Sequence, residues 1–156
     1  MPEAADRWLI EYGNSHRDLG YPGIYWLSVI LLVVTTVGIF SLLPVPDEFV
    51  RISPALNWAT AFLMVAVVYY FIISISLAIG MLPFVLGLAT LQIWLAHSSL
   101  PRERIVTVLF LASIAGLFAG HYSRGGLRAV VVDIQMMMIA PLWILSRIYR
   151  SFGIPF

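Results

Sequence analysis

LNWATAFLMVAVVYYFIISISLAIGMLPFVLGLATLQIWLA, from Leu56 to Ala96, holds no charged residue over 41 positions. A helix that crosses the ~30 Å hydrocarbon core of a bilayer needs about 20 apolar residues, so this run is long enough for two spans. Ser74 and Ser76 sit near its middle. A tight helical hairpin around them is the simplest division, giving spans over 56–75 and 77–96. The run therefore predicts an all-α integral membrane protein.

Reading outward, Ile24 to Leu43 is a further uncharged stretch of spanning length, followed by a loop with Pro44, Pro46, Asp47, Glu48 and Arg51. His97 to Arg104 is a polar loop. A fourth span covers 105–120, where Ala112, Ser113, Ala115, Gly116, Ala119 and Gly120 suit close helix contact. The apolar stretch 129–146 contains Asp133, Gln135 and Pro141, so a re-entrant or interfacial segment fits it better than a fifth span. The first twenty residues are the most polar and lack the form of a cleavable signal. Over 5–17 they read as an amphipathic helix, with Trp8, Leu9, Tyr12 and His16 on one face, lying at the membrane interface.

Composition agrees. Of 156 residues, 61% are hydrophobic and 11% charged, where soluble domains carry roughly a quarter charged. One membrane domain, 1–156, and the lipid bilayer as its medium follow. A net charge of +1 argues against nucleic acid as a partner. With no cysteine there is no disulfide framework and no thiolate metal site.

The span count decides which residues can meet. After four crossings the chain returns to its starting side, so His16 and His121 share one membrane face while His97 lies on the other, roughly 30 Å away. Arg7, Arg17, Arg124, Arg128, Arg147 and Arg150 fall on the His16 side, against Arg51, Arg102 and Arg104. The positive-inside rule then puts both termini in the cytoplasm. A fifth span would remove the bias.

Several stretches occur in a familiar order and spacing. These are Glu11-Tyr-Gly-Asn-Ser-His16-Arg, Pro44-Val-Pro with Ile52-Ser-Pro-Ala-Leu-Asn-Trp58, Gly120-His121, and Asp133-Ile-Gln135 with Ile139-Ala-Pro-Leu-Trp143. From about Arg7 to Ile154 the chain resembles the bacterial branch of the 2-hydroxy-palmitic acid dioxygenase-like family. The resemblance implies a small helical protein of the bacterial inner membrane. Its fungal members are iron(II)-dependent dioxygenases that shorten 2-hydroxy fatty acids by one carbon during phytosphingosine breakdown.

The chain also departs from that pattern. Where the family follows its opening histidine with an asparagine and a second histidine, this sequence has Tyr21 and Tyr25. Where the family places glutamine before Gly-His and glutamate after it, this sequence has Leu117 and Arg124. His16, His121, Asp133 and Gln135 survive. A non-haem iron(II) centre needs about three His or carboxylate ligands with open positions, a count that His16, His121 and Asp133 reach. Arginine in place of glutamate repels a cation, and tyrosine is a poor ligand for iron(II).

Plainer readings stand beside these. His16 and His121 also suit interfacial residues that bond backbone at span ends, and Asp133 suits a buried partner of Arg124 or Arg128. The Met136-Met-Met138 run suits packing surface, and Gly125-Gly126 a turn. Two functions follow. In one, the scaffold persists without its metal site, as an accessory or structural subunit of a larger membrane protein complex. In the other, Fe(II) on His16, His121 and Asp133 oxidises a long-chain 2-hydroxy fatty acid lying between the spans. The lost polar positions favour the first.

Overall fold

The computed structural model describes Leu9, Ile10, Gly13, residues 21–120 and residues 126–154, with the backbone alone at 126–129 and 135. Among the described residues the chain forms helices and no strand. Helix α1 (Pro22–Leu42) starts on a proline, whose missing N–H costs nothing in a first turn. It stops at Leu43, which is held extended before Pro44. The short α2 (Asp47–Ile52) has two acids in its first turn and Arg51 in its last, matching the helix dipole.

A capping box opens α3 (Trp58–Ile73). The Asn57 side chain accepts from the Thr60 N–H at 3.0 Å, and the Thr60 hydroxyl accepts from the Asn57 N–H at 2.9 Å. Ser74, in extended backbone, is both the C-cap of α3 and the N-cap of α4 (Ile75–His97), so one residue makes the break in the long apolar run. Then come α5 (Arg102–Gly120), α6 (Gly126–Met136) and α7 (Ile139–Ser151).

Helix α1 is the centre of the bundle, packed against α3, α4, α5 and α7, with α5 the most extensive neighbour. Three glycine contacts fix the α1–α5 register. A Cβ on Gly120 would meet Tyr25 at 3.0 Å, one on Gly116 would collide with the Ser28 hydroxyl, and one on Gly38 would meet Val106 at 3.0 Å. As numbers rise along α1 they fall along α5, so the helices are antiparallel. Gly116 and Gly120 form a GxxxG pair, which lets helices approach closely where lipid gives no hydrophobic drive. The hydroxyls in this seam are satisfied locally: Ser28 bonds the Ile24 carbonyl, Thr35 that of Leu31 and Ser113 that of Phe110.

On the other side of α1, α3 presents Ala59, Leu63, Ala66 and Tyr70, and α4 presents Leu77, Met81, Val85, Leu88 and Gln92. Polar contacts tie one end of the bundle together. The Trp58 indole N–H donates to the Pro44 carbonyl at 2.9 Å, the Ser41 hydroxyl reaches the Gln92 side-chain oxygen at 3.1 Å, and Arg102 donates to the Ser41 carbonyl at 2.6 Å. Helices α1, α3, α4 and α5 therefore alternate in direction between the same two ends. Helices α6 and α7 lie toward the other end. Trp143 stacks on Trp26 with centroids 4.6 Å apart, while the turn between them reaches further in, where the Thr36 hydroxyl donates to Met137 sulfur at 3.8 Å.

Large apolar side chains cover the outside, among them Ile72 at 78% exposure and Leu86 at 64%. Helices apolar on every face belong in a membrane. α1, α4 and α5 are each long and apolar enough to cross one, and α3 is a shorter apolar helix of 16 residues. Leu9, expected on an interfacial face, is buried in the core beside α1, α3 and α4. Ile10 beside it is 48% exposed, and apart from Gly13 the rest of the amphipathic segment lies outside the described residues.

The seam makes a clear prediction. Gly116→Leu should lower stability by about 1–3 kcal/mol through overpacking against Ser28. Gly87→Ala, with nothing within 4 Å of the added Cβ, should be neutral or slightly stabilising. Thermal unfolding in detergent measures both, and equal effects would contradict this register.

Candidate functional site

At the end of the bundle where α1 begins and α5 finishes, two polar side chains meet out of reach of solvent. Tyr25 is fully buried and Asp133 is 4% exposed. The Tyr25 hydroxyl donates to Asp133 Oδ1 at 3.1 Å, joining positions 108 residues apart. The local sequence explains the arrangement. Pro22 starts α1 so that Tyr25 lies on the face turned to α5, and Gly120 lets the ring sit against its backbone. Helix α6 packs on α5 and presents Val130 and Asp133 inward, three residues apart on one face. Tyr25, Val29, Leu32, Leu117, Val130 and Ala140 form one apolar cluster around the pair.

An ionised carboxylate accepts hydrogen bonds only, and leaving it unpaired in such surroundings would cost several kcal/mol. The phenol supplies a donor without adding charge. Next to it, Trp26 meets Tyr25 edge-on at 5.0 Å and stacks on Trp143, over whose outer face the Arg147 guanidinium lies at 5.1 Å. A side chain on Gly13 would meet the Trp143 indole nitrogen at 2.8 Å, so the N-terminal segment passes close to this stack at that point.

Of the residues singled out from sequence, the structure brings Tyr25, Leu117 and Asp133 together. Tyr21 does not join them: it sits at the N-cap of α1, 59% exposed. Gln135 is in α6, with only its backbone described. His16, His121 and Arg124 lie outside the described residues, as does the side chain of Arg128, so the expected iron ligand set and the arginine partners suggested for Asp133 are not covered. Gly120, the residue before His121 in the chain, is packed on Tyr25. His97 ends α4, exposed, its Nδ1–H donating to the Ile93 carbonyl at 2.8 Å. Among the described residues no three His, Asp or Glu side chains converge on a point that would hold a metal ion.

Sequence reasoning missed the Trp26–Trp143–Arg147 stack and the Ser41–Gln92–Arg102 contacts. For the first a signal existed, since both tryptophans and the arginine flank apolar runs. The second joins residues 51 and 61 positions apart and has no local signature. No protein-family model, curated protein or solved structure matches this chain. Among the described residues, fold and composition define an all-helical protein with three candidate membrane-spanning helices.

Tyr25→Phe removes the phenolic donor and should cost about 1–3 kcal/mol, because a buried charged acceptor loses a hydrogen bond. A double-mutant cycle with Asp133→Asn should depart from additivity by at least about 0.5 kcal/mol. Additive losses would mean that the two side chains do not act as a pair.

Proposed function

We propose that the chain is a divergent, non-catalytic member of the dioxygenase-like membrane family, serving as a small accessory or structural subunit of a larger membrane protein complex. The Tyr25–Asp133 hydrogen bond carries this reading. Under the resemblance, Tyr25 stands where a metal-binding histidine is expected, and Asp133 is a carboxylate left for iron. A neutral phenol that donates a hydrogen bond to that carboxylate is a much poorer iron(II) ligand than an imidazole, and it takes up a lone pair that the carboxylate would offer a metal. Leu117 adds hydrocarbon where the family has an amide. The pair then serves as a buried clasp between α1 and α6.

Within this proposal the protein crosses the bacterial inner membrane four times with both termini cytoplasmic. Helix α3 is the short member, ~24 Å against ~35 Å for α4, yet it runs between the same two bundle ends, and tilt or local thinning absorbs such a mismatch. Helices α6 and α7 form a re-entrant hairpin that enters and leaves on the cytoplasmic side. Because the chain has no cysteine, single cysteines report topology directly. Ala55→Cys and Ser99→Cys should both react with an impermeant maleimide added outside, and Ser151→Cys should be protected. Labelling of Ala55→Cys and Ser99→Cys from opposite sides would leave α3 outside the membrane.

Metal analysis tests the functional reading. Detergent-purified protein should carry no stoichiometric iron and should turn over no 2-hydroxy fatty acid when Fe(II) is supplied. Stoichiometric iron that disappears in a His16→Ala/His121→Ala variant would overturn it in favour of the dioxygenase.

A further inference from the structure

Polar side chains gather a second time at the end of the bundle far from Tyr25. Ser41 lies one residue before the end of α1, Gln92 five residues before the end of α4, and Arg102 opens α5. Gln92 is a buried amide on an otherwise apolar helix, 8% exposed. Its side-chain oxygen takes the Ser41 hydroxyl at 3.1 Å, and Arg102 donates one N–H to the Ser41 carbonyl at 2.6 Å. Both long side chains are therefore anchored on one residue, which keeps their remaining nitrogens close to each other.

Those remaining nitrogens are all donors. Arg102 Nε is buried with no hydrogen-bond partner. Among the described residues the Gln92 amide nitrogen finds no acceptor, and no acid pairs with the Arg102 guanidinium. A guanidinium carries five N–H groups and an amide two, and none of these nitrogens accepts. Donors left unmade in surroundings of low dielectric are costly, so an anionic oxygen gains more here than at an open surface. The acids at this end do not fill that role. Asp47, Glu48 and Glu103 are exposed, and Glu103 follows Arg102 on α5, where consecutive positions do not share a face. With Arg51 and Arg104 counted, three arginines and three acids leave this end without net charge. Selection therefore rests on the local donors.

Depth narrows the source of the oxygen. Helices α1 and α5 are both of spanning length, and one finishes where the other begins. The cluster thus lies where hydrocarbon gives way to headgroups. Trp94, two residues beyond Gln92, and Trp58, bonded to the Pro44 carbonyl, are both exposed, and tryptophan is favoured at that boundary.

We infer that Ser41, Gln92 and Arg102 form a seat for the phosphate of a membrane phospholipid, in the leaflet at this end of the bundle. The Gln92 amide and the guanidinium donate to the phosphate oxygens, and Ser41 holds both in place. Exposed Leu43, Ile93 and Leu100 meet the acyl chains. Arginine suits the role, because its planar fork holds Ser41 with one nitrogen and presents the others to phosphate. The inference depends neither on the accessory-subunit reading nor on which leaflet faces the cytoplasm.

Native mass spectrometry of the full chain, released from micelles doped with equal dioleoylphosphatidylglycerol and dioleoylglycerol, tests it. The two lipids share acyl chains and differ in the phosphate-bearing headgroup. One hydrogen bond to a charged group corresponds to about tenfold in affinity, so the phospholipid should be retained at least about tenfold over the diglyceride. Arg102→Gln should remove most of that preference. Arg104→Gln, which deletes the same charge from an exposed position on the same helix, should leave it unchanged. Gln92→Glu puts a carboxylate beside the guanidinium and should expel the phosphate with no loss of thermal stability in detergent. Equal retention of the two lipids by the wild-type chain would overturn the inference whether or not any variant folds. So would a preference that survives Arg102→Gln or Gln92→Glu, an equal loss in Arg104→Gln, or full displacement by millimolar inorganic phosphate, which would mark a free-anion site.

Discussion

The rest of the structure depends on how closely α1 and α5 approach. Gly116 and Gly120 remove two side chains from one helix so that Ser28 and Tyr25 of the other occupy their space. In lipid there is little to gain from hiding one hydrocarbon surface against another, so contact has to come from shape, and glycine gives the shape. The consequence extends beyond two helices. With Tyr25 clamped on Gly120, its hydroxyl is delivered to the place where α6 passes, and Asp133 can be buried there with a partner. A bulkier α5 would push the ring outward and leave the aspartate without its phenol.

The legible part of the fold is the part set by composition. A run of 41 uncharged residues has few homes other than a membrane, and two serines near its middle mark where a hairpin would break. The structure puts the break at Ser74, because an extended serine can end one helix and cap the next. Register was not legible. Helices with apolar residues all round carry no stripe that says which face is inside, so nothing in α1 separates buried Val29 from exposed Leu27 except the neighbours they meet. The small residues of α5 signalled close contact, but their partner helix came only from the structure.

The site was half legible for a similar reason. Asp133 stood out as the single acid in an apolar stretch, and Tyr25 drew attention through the family resemblance, each on its own terms. Their meeting across 108 residues has no sequence signature. A carboxylate read alone among hydrocarbon invites a cation or an arginine, and the structure adds a buried phenol as a neutral donor, while Arg124 and the side chain of Arg128 lie outside the described residues. The expected ligands His16 and His121 fall outside the described residues, so the weight of the functional reading rests on Tyr25.

That aspartate also accounts for the shape of the C-terminal third. A spanning helix with Asp133 on a lipid-facing surface would carry a penalty of several kcal/mol. Splitting the stretch into α6 and α7 avoids it. Helix α6 turns Asp133 toward Tyr25, the turn at 137–138 rests a thioether on Thr36 instead of exposing backbone to lipid, and α7 leads back out past Trp26. Beyond that turn α7 carries Arg147 and Arg150 on its exposed face. The buried acid and the broken helix are thus two results of one constraint: α6 carries Asp133 to its phenol, and α7 starts anew beyond the turn.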